Sequence, residues 1–116
     1  MNYIQILENA TYLPGKRVEN EEIENRLGLE RGYIYKRTGV KYRYFSEKEK
    51  IEELAVKAVK KILEKANVLK EEIGLIIVAT TSTNKLMPGI SNFIQREINI
   101  EKCICLDILA GCNRIY

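Results

Sequence analysis

The chain has 116 residues, 46% of them apolar and 30% charged, with a net charge of +3. That is the composition of one ordinary globular domain, and lysines and arginines interleaved with glutamates argue against a nucleic-acid partner. No stretch approaches the roughly 18 apolar residues of a membrane span, and the N-terminus has no basic–apolar signal pattern, so a cytoplasmic protein is expected with no membrane partner. Cys103, Cys105 and Cys112 make an odd count without a secretory signal, which reads as reduced thiols. Cys103 and Cys105 lack CxxC spacing and the chain has no histidine, so neither a metal site nor a resident cofactor is expected. The missing histidine also means that any Cys–His chemistry must borrow its base from elsewhere.

Tyr3 to Leu7 alternates loosely among β-formers and reads as a strand. Thr11-Tyr12-Leu13-Pro14-Gly15 extends and then turns at Pro-Gly. Asn20 can cap a short helix over Glu21 to Leu27, with acidic residues in its first turn and Gly28 as a left-handed stop. Arg31 to Lys36 predicts a second short helical turn, and Val40 to Phe45 alternates basic and apolar residues as a half-exposed strand does.

Ser46 and Glu49 have the spacing of a capping box. Behind them Ile51, Leu54, Ala55, Ala58, Val59, Ile62, Leu63 and Ala66 recur at helical spacing, with lysines and glutamates opposite. Ile73 to Ala79 is apolar throughout, as suits a parallel strand covered on both faces. A polar loop over 80–84 follows. Pro88 is expected in the first turn of a helix reaching about Ile98, with Ile90, Phe93, Ile94 and Ile98 on one face. Cys103 to Leu106 is the next buried strand, and Cys103 and Cys105 are read as part of its core. Helix–strand–helix–strand is an α/β layer architecture with parallel crossovers.

Directly after that strand comes Leu106-Asp107-Ile108-Leu109-Ala110-Gly111-Cys112. A cysteine after a short apolar strand and a small-residue turn stands where an α/β protein presents a nucleophile. A helix starting there would aim N–H groups at the sulfur and lower its pKa from about 8.5 into the range of roughly 3.5–7.5. Only Asn113, Arg114, Ile115 and Tyr116 follow, so the chain reads as an enzyme cut off at its nucleophile.

Tyr12-Leu13-Pro14, Arg37-Thr38-Gly39-Val40, Ile73 to Ser82 and Asp107 to Cys112 stand in an order and spacing that resemble the N-terminal part of β-ketoacyl-acyl-carrier-protein synthase III. The resemblance covers essentially the whole chain but only about the first third of a family member. It implies the N-terminal part of a thiolase-like fold, a mostly parallel sheet with flanking helices. Residues 1–116 would be one partial domain, truncated after the catalytic-cysteine turn. It also implies an activity: a cysteine takes an acyl group from acyl-CoA, and the thioester condenses with malonyl-acyl-carrier protein to start fatty acid synthesis.

Carried over residue by residue, Cys112 matches the acylated nucleophile. Arg37 matches an arginine that contacts the CoA nucleotide. Tyr33 stands where family members often carry a tryptophan against the adenine, and Thr38 is carried over with Arg37. Met87 matches a position that reaches across a homodimer into the partner's acyl pocket, with plain core or interface packing as the alternative. The sequence departs from the family after Cys112, where small residues and an aromatic are usual and Arg114 sets a bulky charge. The family's catalytic histidine and asparagine belong to its C-terminal part. The chain alone is therefore expected to be inactive in condensation. The alternative reading is a non-catalytic pseudo-subunit or degenerate fragment that binds a full-length synthase.

Overall fold

The computed structural model describes residues 3–82 and 87–109, which fall into two units. The smaller unit is Leu13–Lys50. Its strand β1, Lys16–Glu19, pairs antiparallel with β2, Tyr42–Phe45, in the register Lys16↔Phe45 to Glu19↔Tyr42. Between them lie helices α1, Asn20–Leu27, and α2, Tyr33–Thr38. Val18 and Ile23 form the buried apolar centre, joined by buried Asn20 and Glu24. Gly28 ends α1 at φ 65°, the left-handed stop its sequence predicts. Asn20 does not cap α1: Glu19 holds that position, while the Asn20 amide donates to the Val40 carbonyl at 2.6 Å and accepts from Arg43 at 3.2 Å. Strand β1 was not expected from sequence, because Lys16-Arg17-Val18-Glu19, with one apolar residue among three charges, looks like a solvated loop until β2 supplies its ladder.

The larger unit joins residues 1–12 to residues 51–116. Helix α3, Ile51–Ala66, leads through a single 3₁₀ turn, Lys70–Glu72, into β3, Leu75–Ala79. Helix α4, Ile90–Glu97, then returns the chain to β4, Ile104–Ile108, which pairs parallel with β3 from Leu75↔Ile104 to Ala79↔Ile108. This is a βαβ unit, as the buried apolar runs predict. Val56, Ile90, Ile94, Ile98 and Ile100 are its buried core, with Ala55, Val59, Leu63, Ile76 and Val78 packed around them. Ile51, Ala55, Val59 and Leu63 of the expected α3 stripe pack against this core, and Val56, outside that stripe, joins them as the buried residue of the helix.

Several expectations fail for local reasons. Tyr3 to Leu7 forms no strand: Ile4 and Ile6 lie in solvent, with no ladder partner among the described residues. The Ser46–Glu49 capping box does not form, because α3 starts later, at Ile51, and the Ser46 hydroxyl donates to the Glu49 carbonyl at 2.6 Å. Pro88 stands ahead of α4 rather than in its first turn, with Gly89 as N-cap and a cis Met87–Pro88 peptide. The β3–β4 pair is covered on one face only. Ile76, Val78 and Cys105 turn toward the helices, whereas Leu75, Ile77, Ile104, Leu106 and Ile108 are exposed.

Ile94 is 2% exposed and belongs to the buried cluster against which Ala55 and Val59 of α3 and Ile76 and Val78 of β3 pack. Ile94→Ala should lower the unfolding free energy by about 2–5 kcal/mol in a urea titration, with the slope unchanged.

Candidate functional site

In the smaller unit, the carboxylate of Glu24 determines where α2 sits. Glu24 is 2% exposed and lies on the inner side of α1. Its two oxygens accept the backbone N–H groups of Gly32 and Ile34, each at 2.9 Å. These are donors at the first turn of α2, which no residue of the helix itself can satisfy. Gly32 takes φ 82°, a left-handed conformation that a side chain would resist. The two hydrogen bonds hold the Glu24 carboxyl below its ordinary value of 4.5.

Seated in this way, α2 presents Tyr33 and Arg37 one turn apart. The Arg37 guanidinium stands 5.2 Å from the centre of the Tyr33 ring, and both side chains are exposed. Lys41 stands 6.0 Å over the Tyr35 ring. An aromatic face beside a fixed cation can stack a base and hold a phosphate. Thr38 closes α2 ahead of Gly39 at φ 69°. Its hydroxyl donates to the Ile34 carbonyl at 2.8 Å and accepts the Val40 N–H at 3.1 Å. A cavity of about 220 Å³ in the same unit is lined by Val18, Arg26 and Phe45 among others and does not include Tyr33 or Arg37, which stand on open surface.

In the larger unit the carboxyl ends of β3 and β4 lie side by side, and the Thr80 N–H continues the ladder to the Ile108 carbonyl at 3.1 Å. Open α/β sheets place their functional groups at such ends. Helix α4 has no acidic residue in its first turn. Asp107 of β4 supplies the charge instead. It accepts the Ser91 N–H at 3.2 Å and also the Ser91 hydroxyl in a short hydrogen bond. Ser91 is fully buried. Gly89 leaves the room for this clamp, because a Cβ there would collide with an Asp107 carboxylate oxygen. Neither Glu24 nor the Ser91–Asp107 clamp was found by sequence reasoning, since their partners are 8 to 16 residues away.

Tyr33, Arg37 and Thr38 are thus brought onto one short helix. Met87 is 86% exposed, so it does not pack into the core of its own unit. Cys112 lies outside the described residues. Among the described residues no three His, Cys, Asp or Glu side chains cluster to hold a metal ion, and no helix is long and apolar enough to cross a membrane.

No protein-family model matches the chain. A β-ketoacyl-[acyl-carrier-protein] synthase III from Clostridium acetobutylicum is 36% identical over 113 residues, covering 97% of this chain and 35% of that protein. Another, from Wolbachia sp. subsp. Brugia malayi, is 37% identical over 114 residues with the same coverages. The crystal structure of 3-oxoacyl-[acyl-carrier-protein] synthase III from Aquifex aeolicus matches with a TM-score of 0.84 at 31% identity, covering 91% of this chain and 34% of that one. The chain therefore spans about a third of the length of the curated relatives it matches. By sequence and by fold it is a relative of the β-ketoacyl-acyl-carrier-protein synthase III enzymes, with the thiolase-like fold of their N-terminal region.

Two tests follow from the carboxylates. The folded-state pKa of Glu24 is depressed, so its contribution to stability is present above the unfolded value and is lost as pH falls through the folded one. Amide-exchange protection of Gly32 and Ile34 should be full at neutral pH and fall in acid, and Glu24→Ala, which removes both acceptor oxygens, should abolish it at every pH. Gly89→Ala should displace Asp107 from Ser91 and lower the melting temperature to about the same extent as Asp107→Ala. The double variant should add little, as expected of residues in one network.

Proposed function

We propose that this chain is the N-terminal part of a β-ketoacyl-acyl-carrier-protein synthase III, with residues 1–116 as one partial thiolase-like domain of a cytoplasmic, homodimeric enzyme. The observation that carries the reading is the match over 97% of the chain, which includes the Asp107 to Cys112 segment leading out of β4. In this reading Cys112 attacks the thioester carbonyl of acyl-CoA as a thiolate. The C–S bond to CoA breaks, CoA leaves as a thiolate, and the acyl group stays on Cys112. The acyl-cysteine then condenses with malonyl-acyl-carrier protein as carbon dioxide is lost.

The chain's own residues have narrower roles. Arg37 binds a phosphate of CoA, Tyr33 offers its ring to the adenine, and Thr38 ends the helix that holds both. Tyrosine presents less area than a tryptophan there, which favours modestly weaker CoA binding. Met87, exposed beside Pro88, is proposed to reach a partner subunit's acyl pocket. Stabilising the condensation enolate and oxyanion needs donors that the resemblance places in the family's C-terminal part, and these 116 residues include no histidine. The exposed apolar face of β3 and β4 favours a second reading, a non-catalytic subunit packed on a full-length synthase.

Intact-protein mass spectrometry after incubation with acetyl-CoA tests the first reading, with Cys112→Ala as control. One acetyl group that depends on Cys112 is the expected result, without β-ketoacyl product from the chain alone. Arg37→Ala should weaken CoA binding about tenfold in calorimetry, the value of a hydrogen bond to a charged group. An unmodified, folded chain that co-purifies with a full-length synthase would favour the second reading.

A further inference from the structure

We propose that Cys103 and Cys105 form a dithiol that closes reversibly to an intrachain disulfide when a peroxide oxidises it. The two sulfurs stand 3.7 Å apart at the start of β4, and both cysteines are free and half-buried. Alternation along a strand puts residues two apart on the same face, so the two thiols share the side that meets α4. Gln95 of α4 lies against the pair, its side-chain oxygen accepting from the Cys105 sulfur at 3.4 Å. The arrangement has no metal-ligating third member among the described residues, which leaves redox chemistry as the reaction open to two adjacent thiols.

The chemistry balances with hydrogen peroxide as the named oxidant. One cysteine sulfur attacks a peroxide oxygen, the O–O bond breaks, and a sulfenic acid and one water result. The second sulfur then attacks the sulfenic sulfur, the S–S bond forms as the S–O bond breaks, and the departing hydroxide takes the second thiol's proton to give another water. The two sulfurs together lose two electrons, and the peroxide gains them. Burial and the adjoining Cys103 push the Cys105 thiol up, so Cys105 gives up its proton only as it attacks, to the departing hydroxide.

Backbone geometry makes the bond labile. Residues two apart in a strand have Cα atoms about 6.6 Å apart, near the upper end of the roughly 4.4–6.8 Å that a disulfide spans. Closure therefore bends the start of β4 and strains the new bond, and strained disulfides are the more readily reduced ones. The Ile104 N–H that donates to the Gly74 carbonyl at 2.9 Å lies between the two cysteines. Closure pulls on that first rung of the ladder, at the opposite end of the strand from the Asp107 clamp.

The test treats the full chain and its Cys112→Ser variant with hydrogen peroxide, alkylates free thiols, and measures intact mass and tryptic peptides. The expected result in the variant is a loss of two hydrogens, protection of both remaining thiols from alkylation, and full recovery with dithiothreitol. Cys103→Ser and Cys105→Ser should each abolish the loss. Four outcomes would each overturn the proposal: thiols still open to alkylation after peroxide, separate sulfinic acids, disulfide-linked chains, or a disulfide that forms only when Cys112 is present. Circular dichroism of each variant confirms that the comparison is made between folded proteins.

Discussion

A carboxylate placed against the bare first turn of a helix is the interaction on which both units depend. A short helix leaves its first N–H groups unsatisfied and its N-terminus partly positive, so an anion there satisfies donors and dipole together. In the larger unit Asp107 reaches from β4 to Ser91 of α4, and in the smaller unit Glu24 reaches from α1 to Gly32 and Ile34 at the start of α2. Neither α2 nor α4 has an acidic residue in its own first turn. At six and eight residues these helices are too short to be stable alone, so their position is decided by what they are tied to.

That constraint sets what each unit can offer. Pinning α2 presents Tyr33 and Arg37 together on open surface, with the guanidinium already over the ring. Pinning α4 to the end of β4 locks the βαβ unit and fixes the strand that leads toward Cys112. The isoleucines of α4 supply the apolar core beneath, and Gly89 is small because the Asp107 carboxylate occupies the space a Cβ would need. The opposite face of β3 and β4 carries Leu75, Ile77, Ile104, Leu106 and Ile108 in the open. Strands apolar on both faces belong to a sheet with layers on each side. The single covered face is consistent with a chain that matches about a third of its relatives' length.

Much of this was legible in the residues. The parallel strands and the helices α3 and α4 follow from apolar periodicity, and Gly28 from the need for a left-handed stop. Tyr33 and Arg37 could be singled out only through the resemblance to condensing enzymes, since an exposed tyrosine and an arginine one turn apart are otherwise unremarkable. The Glu24 clamp was hidden because a glutamate in an acidic, polar helix looks solvated. It becomes a buried acceptor only when the chain folds back and brings Gly32 and Ile34 to it. Strand β1 was hidden for the same reason, as its three charged residues and single valine gain a ladder only from β2.

The sequence by itself determined the α/β order of elements, the parallel pairing of two apolar strands, and the resemblance to the condensing enzymes, because these rest on local periodicity and on motifs read along the chain. The tertiary structure alone decided which carboxylates seat the helices, that Val56 joins the core face of α3, and that two cysteines of one strand stand sulfur to sulfur. The carboxylate clamps depend on distances between residues separated by turns and crossovers, and the approach of the two sulfurs on side-chain conformations that only packing fixes. No one-dimensional pattern encodes such distances until backbone hydrogen bonds and side-chain packing fix them.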